Sequence, residues 1–187
     1  MEGEGKTSLF PFPEEELNAL RRERNIFLFG AVTDELAFSV AMLLRAYERE
    51  NPSKPIRIII DSKGGSVKAG WVIVDAMGIC KSPIETVCYG EAASIASVIF
   101  AKGDRRYMLK HSTLMIHQPW ADGPCYPIKE SELRNMAEDL TATRKKIEEA
   151  LSECSALSLS EIHELTETDF RISAKKAVSM GFCDAIL

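Results

Sequence analysis

With 187 residues, 45% of them hydrophobic, the chain is long enough to bury one sizeable core and too short for two ordinary domains. A formal net charge of −5 excludes the sequence-wide basic character that suits a phosphate backbone or an anionic lipid surface, so neither nucleic acid nor membrane is expected as a partner. The start, Met1-Glu2-Gly3-Glu4-Gly5-Lys6, lacks the basic onset and apolar run of a signal peptide, and no apolar stretch approaches about 18 residues, so a cytoplasmic location is expected.

Residues 1–17 mix Gly3, Gly5, Pro11 and Pro13 with the run Glu14-Glu15-Glu16 and read as a mobile N-terminal segment ahead of a single domain over 18–187. From Asn25 short β-rich runs alternate with helical ones. Ile26-Phe27-Leu28-Phe29 predicts a strand, and Thr33 an N-cap for a helix to about Arg49. Ile56 to Ile60 is a β-branched strand, Gly64-Gly65 a turn, and Val67 to about Cys80 a helix with Ala69, Val72, Ile73, Ala76 and Met77 at helical spacing. A third strand, Ile84 to Cys88, leads into a helix near Ser94, and two short strands follow around Arg106–Leu109 and Thr113–Ile116. Residues from Ile128 to Cys154 contain neither Gly nor Pro and read as one long amphipathic helix. Its apolar stripe needs a surface, either its own domain or another subunit. Ser158-x-x-Glu161 resembles a capping box, Ser173 to Met180 a last helix closed by Gly181, and Cys183 to Leu187 a terminal strand. Strands alternating with helices in this way imply parallel pairing through right-handed crossovers, so the fold class is α/β. The five cysteines, Cys80, Cys88, Cys125, Cys154 and Cys183, are odd in number and show no C-x-x-C spacing, which speaks for reduced thiols and against a zinc site or a disulfide framework.

Chemistry concentrates at one place. Gly90-Glu91-Ala92-Ala93-Ser94-Ile95 follows a strand and opens a helix, so the turn presents a hydroxyl beside backbone N–H groups that have no helical acceptor. A serine needs a base to become a nucleophile, and the chain has three histidines. His163 lies in a polar helical stretch and His111 in a turn. His117 ends the apolar run Leu114-Met115-Ile116 and is followed by Gln118-Pro119, where proline stops the strand; it is the best candidate base. A third member should be a carboxylate that orients the imidazole, and 28 acidic residues leave that choice open. The Gly64-Gly65 pair lacks the spacing of a phosphate loop.

Gly90-x-Ala92-Ala93-Ser94, Met115-Ile116-His117-Gln118-Pro119 and Thr166-Glu167-Thr168-Asp169, with Ser173-Ala174, Ala177-Val178 and the ending Gly181 to Leu187, closely resemble the ClpP family of proteolytic subunits in order and spacing from about residue 20 onward. The resemblance implies a spiral of β-β-α units with a protruding handle helix, the handle region falling at about 120–155. It implies Ser94 as nucleophile, His117 as general base and Asp169 as orienting acid, with the backbone N–H groups of Gly65 and Ile95 as the oxyanion hole. It implies no metal or cofactor in this subunit, ATP being used only by a partner. It also implies stacked heptameric rings, alone or mixed with a second subunit of the same type, enclosing polypeptide substrates delivered by an AAA+ unfoldase. Residues 1–17 would then be an axial gate. Two departures stand out: Lys63 occupies a position usually held by proline, and Arg57 one usually aromatic. A non-catalytic ring subunit and an acyl-CoA hydratase or isomerase of the crotonase type are the alternatives; the triad residues speak against the first, and the second needs no Ser-His pair.

Overall fold

The computed structural model describes residues 15, 19–20, 22–120 and 126–187; the expectation for residues 1–17 lies outside them except at Glu15, as do residues 121–125 of the presumed handle region. The three strand–helix cycles form in the expected order: β1 (Asn25–Val32), α1 (Asp34–Glu50), β2 (Ile56–Gly65), α2 (Val67–Ile79), β3 (Ile84–Ala93) and α3 (Ile95–Ala101). Thr33 caps α1 by accepting the Leu36 N–H at 3.2 Å, and Asp34 and Glu35 place negative charge on the first turn, where the helix dipole favours it. Then follow β4 (Arg105–Met108), β5 (Thr113–Ile116), α4 (Glu130–Glu153), α5 (Leu159–Thr166), β6 (Phe170–Ser173), α6 (Ala174–Ser179) and β7 (Ala185–Ile186).

The sheet runs β1-β2-β3-β4-β7 with parallel pairing throughout, while β5 pairs in parallel with the far end of β3 and takes β6 as an antiparallel partner. Alternation along the strands separates two faces. Ile56, Ile58 and Ile60 of β2 are fully buried in a core shared with Leu44 of α1, Ile73 of α2 and Phe100 of α3. Each such side chain contributes about 1.5–3 kcal/mol by leaving water. The opposite face carries Arg57, paired to Glu85 across the β2–β3 register at 2.8 Å.

Three local readings change, and one strand is new. Gly64-Gly65 is not a turn but the end of β2, because Ala31↔Gly64 and Val32↔Gly65 continue the ladder with β1 after a register shift. β6, too short and mixed to show a period, exists because β5 offers it an edge. Ser173 is the N-cap of α6 rather than its first residue, and the terminal strand is confined to Ala185–Ile186. The closure at Gly181 is as expected: Gly181 N–H bonds to Val178 O and Phe182 N–H to Ala177 O, the pair of bonds that ends a helix on a left-handed residue.

The long helix α4 buries only its C-terminal part, through Ile147, Glu148, Ala150 and Leu151, and Lys146 stacks its ammonium 4.2 Å from the Trp71 ring centroid. Its earlier turns are largely exposed, Leu133 by 58%. Among the described residues Cys80, Cys88, Cys154 and Cys183 are free thiols, and no helix is long and apolar enough to cross a membrane. Cys125 lies outside the described residues.

Candidate active site

Strand register assembles the site. Ala93, the last residue of β3, pairs with Met115 of β5, so Ser94 emerges at the end of that ladder. On the other edge of β5, Ile116 pairs with Phe170 in an antiparallel register, which brings the next residue of one strand, His117, opposite the preceding residue of the other, Asp169. Neighbouring strands lie about 4.8 Å apart, so β5 acts as a spacer that brings three distant parts of the chain within side-chain reach. His117 Nδ1 is 3.4 Å from Asp169 Oδ1. Ser94, His117, Asp169, Gly64 and Gly65 all line one cavity of about 540 Å³, together with Lys63, Val67, Met115, Pro119 and Trp120.

Ser94 has φ 55° and ψ −130°, a conformation that costs an L-residue about 1–3 kcal/mol. Three contacts impose it. Its N–H donates to Met115 O at 2.9 Å, its carbonyl accepts from Ser97 Oγ at 2.6 Å, and Ala92 and Ala93 before it are buried. The sharp strand-to-helix turn aims the hydroxyl out of the sheet end and leaves it uncommitted: Ser94 makes no side-chain capping bond, and no hydrogen bond joins its Oγ to the His117 ring among the described residues. Hydrogen bonds between catalytic groups commonly close only when substrate is bound.

Ile95 is buried and stands at the first position of α3, where its N–H has no intrahelical acceptor. The two glycines meet different neighbours. A side chain at Gly65, at φ 152°, would strike Val32 of β1, with a Cβ 2.5 Å from the Val32 carbonyl oxygen, so its smallness serves strand packing. Gly64, at φ 92°, is the residue pressed on Ser94: a Cβ there would stand 2.7 Å from Ser94 Cβ and 2.8 Å from the Ala93 carbonyl oxygen. Gly64, Met115 and Trp120 were not singled out as site residues from the sequence; only the register could reveal them. Among the described residues no group of three or more His, Cys, Asp or Glu side chains is disposed to hold a metal ion.

The family model for Clp protease matches residues 14–187. This chain belongs to the Clp protease family. It is 37% identical over 170 residues to the ATP-dependent Clp protease proteolytic subunit of Streptococcus mutans, covering 90% of this chain and 86% of that one. Proteins of the same description from Streptococcus uberis and Leuconostoc citreum are 35% and 36% identical over 170 residues, spanning 90% of this chain and 86% and 84% of theirs. Membership agrees with the α/β class read from the sequence and with its assignment as a serine-type peptidase.

This Clp protease family member also carries an ionic clamp behind the site that the sequence did not disclose. Arg144 of α4 donates from Nε to Glu148 Oε1 at 2.6 Å, and from Nη2 to Glu167 Oε1 at 2.6 Å and to His163 O at 3.0 Å, while its Nη1 reaches Gln118 Oε1 at 3.3 Å. Gln118 N–H donates in turn to Thr166 O at 2.8 Å. One guanidinium therefore ties the long helix to the residue after His117 and to the segment before Asp169. Burial works to raise the Glu148 carboxyl, but hydrogen bonding with His163, Arg144 and Thr166 outweighs it and holds that carboxyl below its usual range. His163, in a polar helical stretch and 54% exposed, has its Nδ1 3.0 Å from Glu148 Oε2 and so belongs to this clamp.

Proposed function

We propose that this protein is the peptide-cleaving subunit of a self-compartmentalised Clp protease, acting as a serine endopeptidase on unfolded polypeptides and peptides. Ser94 Oγ attacks the scissile carbonyl while His117 Nε2 takes its proton. Asp169, facing Nδ1, keeps the imidazole oriented and stabilises the imidazolium. Backbone N–H groups of Gly65 and Ile95 hold the oxyanion, and collapse of the tetrahedral intermediate expels the amine, which receives the proton from His117. Water, deprotonated by His117, then hydrolyses the acyl-enzyme and restores Ser94. The observation that carries this reading is the double register on β5, with Ser94 on one side, His117–Asp169 on the other, and a single cavity between them.

Assembly into stacked heptameric rings, either of this chain alone or mixed with a second Clp-type subunit, belongs to the same proposal, as does a cytoplasmic location. The exposed early turns of α4 support the assembly, since a stripe with Leu133 in water needs a partner surface. An AAA+ unfoldase would deliver substrate, with ATP consumed there and no cofactor in this subunit. The Arg57–Glu85 pair gives the docking face an ionic character at a position usually aromatic.

Hydrolysis of a fluorogenic peptide by the assembled protein, set against Ser94→Ala, tests the proposal. A loss of about a thousandfold or more is expected, with fluorophosphonate labelling of the wild type confined to Ser94. Equal activity in the two proteins, or failure of Ser94 to label, refutes it.

A further inference from the structure

We propose that Lys63 makes the site selective for acidic residues beside the scissile bond, so that segments with Asp or Glu flanking the cut are the preferred substrates; this rests on the peptidase reading above.

Lys63 lines the same cavity as Ser94, His117 and Asp169. It precedes Gly64, whose backbone is packed so closely on Ser94 that a Cβ would be 2.7 Å from Ser94 Cβ. Consecutive Cα atoms are 3.8 Å apart, which puts Lys63 Cα no more than about 8 Å from Ser94 Cβ. Its four-carbon stem reaches about 6 Å further, over the ground that a substrate residue next to the attacked carbonyl must cross.

This ammonium is unspent. Among the described residues no carboxylate lies within ion-pair distance of it, whereas Arg57 is matched to Glu85 and Arg171 to Glu91. Asp169, in the same cavity, faces His117, and Asp61, two residues before Lys63, accepts the Glu91 N–H at 2.9 Å. The rest of the lining, Val67, Met115, Pro119 and Trp120, is uncharged. Among the described lining residues Lys63 is the one Lys or Arg, so a substrate carboxylate entering here meets its ammonium and a substrate lysine meets repulsion. The chain as a whole carries −5, so its distant field does not attract acidic peptides, and the preference comes from a short-range contact that salt screens.

The experiment uses the full-length assembled protein and pairs of fluorogenic peptides that differ only by Asp against Asn, or Glu against Gln, at each of the residues flanking the cut. Wild type is expected to favour the acidic peptide by about two- to fivefold in kcat/KM at low salt, the range of an exposed ion pair, with the ratio shrinking toward one in about 0.5 M salt. Lys63→Met should bring the ratio to one, Lys63→Arg should keep it, and Lys63→Glu should bring it below one. Lys63 is exposed, so these changes spare the core, and fluorophosphonate labelling of Ser94 in each variant reports an intact site. Wild type that cleaves and labels with a ratio of one, or Lys63→Met that keeps the wild-type ratio, overturns this proposal and leaves the peptidase reading standing. Wild type that neither labels at Ser94 nor cleaves overturns both.

Discussion

Replacing Gly64 by alanine perturbs the closest approach in the site. The new methyl group would stand 2.7 Å from Ser94 Cβ and 2.8 Å from the Ala93 carbonyl oxygen, on a residue at φ 92°. Neither neighbour has room to retreat, since Ala93 is 1% exposed and the Ser94 N–H is bound to Met115 O at 2.9 Å. The left-handed backbone costs an alanine about 1–2 kcal/mol and overpacking about 1–3 kcal/mol more, for a destabilisation of about 2–5 kcal/mol. Relief requires β2 to move away from Ser94, and a displacement of about 1 Å among reacting groups costs about a hundredfold in rate. Gly30→Ala is the matched control: it has φ 77° but nothing within 4 Å of the added carbon, so it bears the backbone cost alone. Thermal denaturation, peptide hydrolysis and fluorophosphonate labelling should then diverge for the two variants. Gly64→Ala should melt several degrees below Gly30→Ala and lose about a hundredfold in kcat/KM and in labelling rate. Equal melting temperatures and equal labelling in the two variants would refute the contact argument.

Arg144→Met leaves the Glu148 carboxylate, 6% exposed, without its main counter-charge, and should cost about 3–5 kcal/mol in stability together with a fall in kcat; Arg144→Met/Glu148→Met should recover most of the stability in a denaturation assay but not the link to Gln118 and Glu167. Burial acts to raise the Asp184 carboxyl, but the Arg106 guanidinium and N–H outweigh it and hold it below its ordinary value of 3.8. A depressed carboxylate stabilises the fold above its unfolded pKa and loses that contribution as pH falls through the folded one, so the melting temperature should change little from this source above about pH 5 and drop below about pH 4. Arg106→Leu, measured over the same range, should show a shallower drop. Desolvation pushes the Cys88 thiol up to about 12, so iodoacetamide at pH 8 should leave Cys88 unmodified in the native protein and label it only after unfolding; stoichiometric native labelling in a mass-spectrometric digest would contradict its burial.

Much of this molecule was legible in the chain itself, because its signals are local. Thr33, the β-branched run Ile56 to Ile60 and the Gly181 cap act through bonds to near neighbours or through a period of two or 3.6, and each element they announce is present. Ser94 and His117 were likewise visible, one at a strand-to-helix junction of small residues, the other before a proline that ends a strand. Asp169 was not separable from the other 27 acidic residues by composition or period, and only its resemblance to a family motif singled it out. Its place opposite His117 depends on β6, a strand that has no pattern of its own and forms because β5 presents an unpaired edge.

Tertiary structure alone decided the pairings between distant segments. Whether Gly64 or Gly65 presses on Ser94, which carboxylates Arg144 binds, and that Lys63 has none among the described residues follow from how strands register and helices pack. Those contacts join residues tens of positions apart, and the energy of each depends on a distance that no stretch of sequence carries.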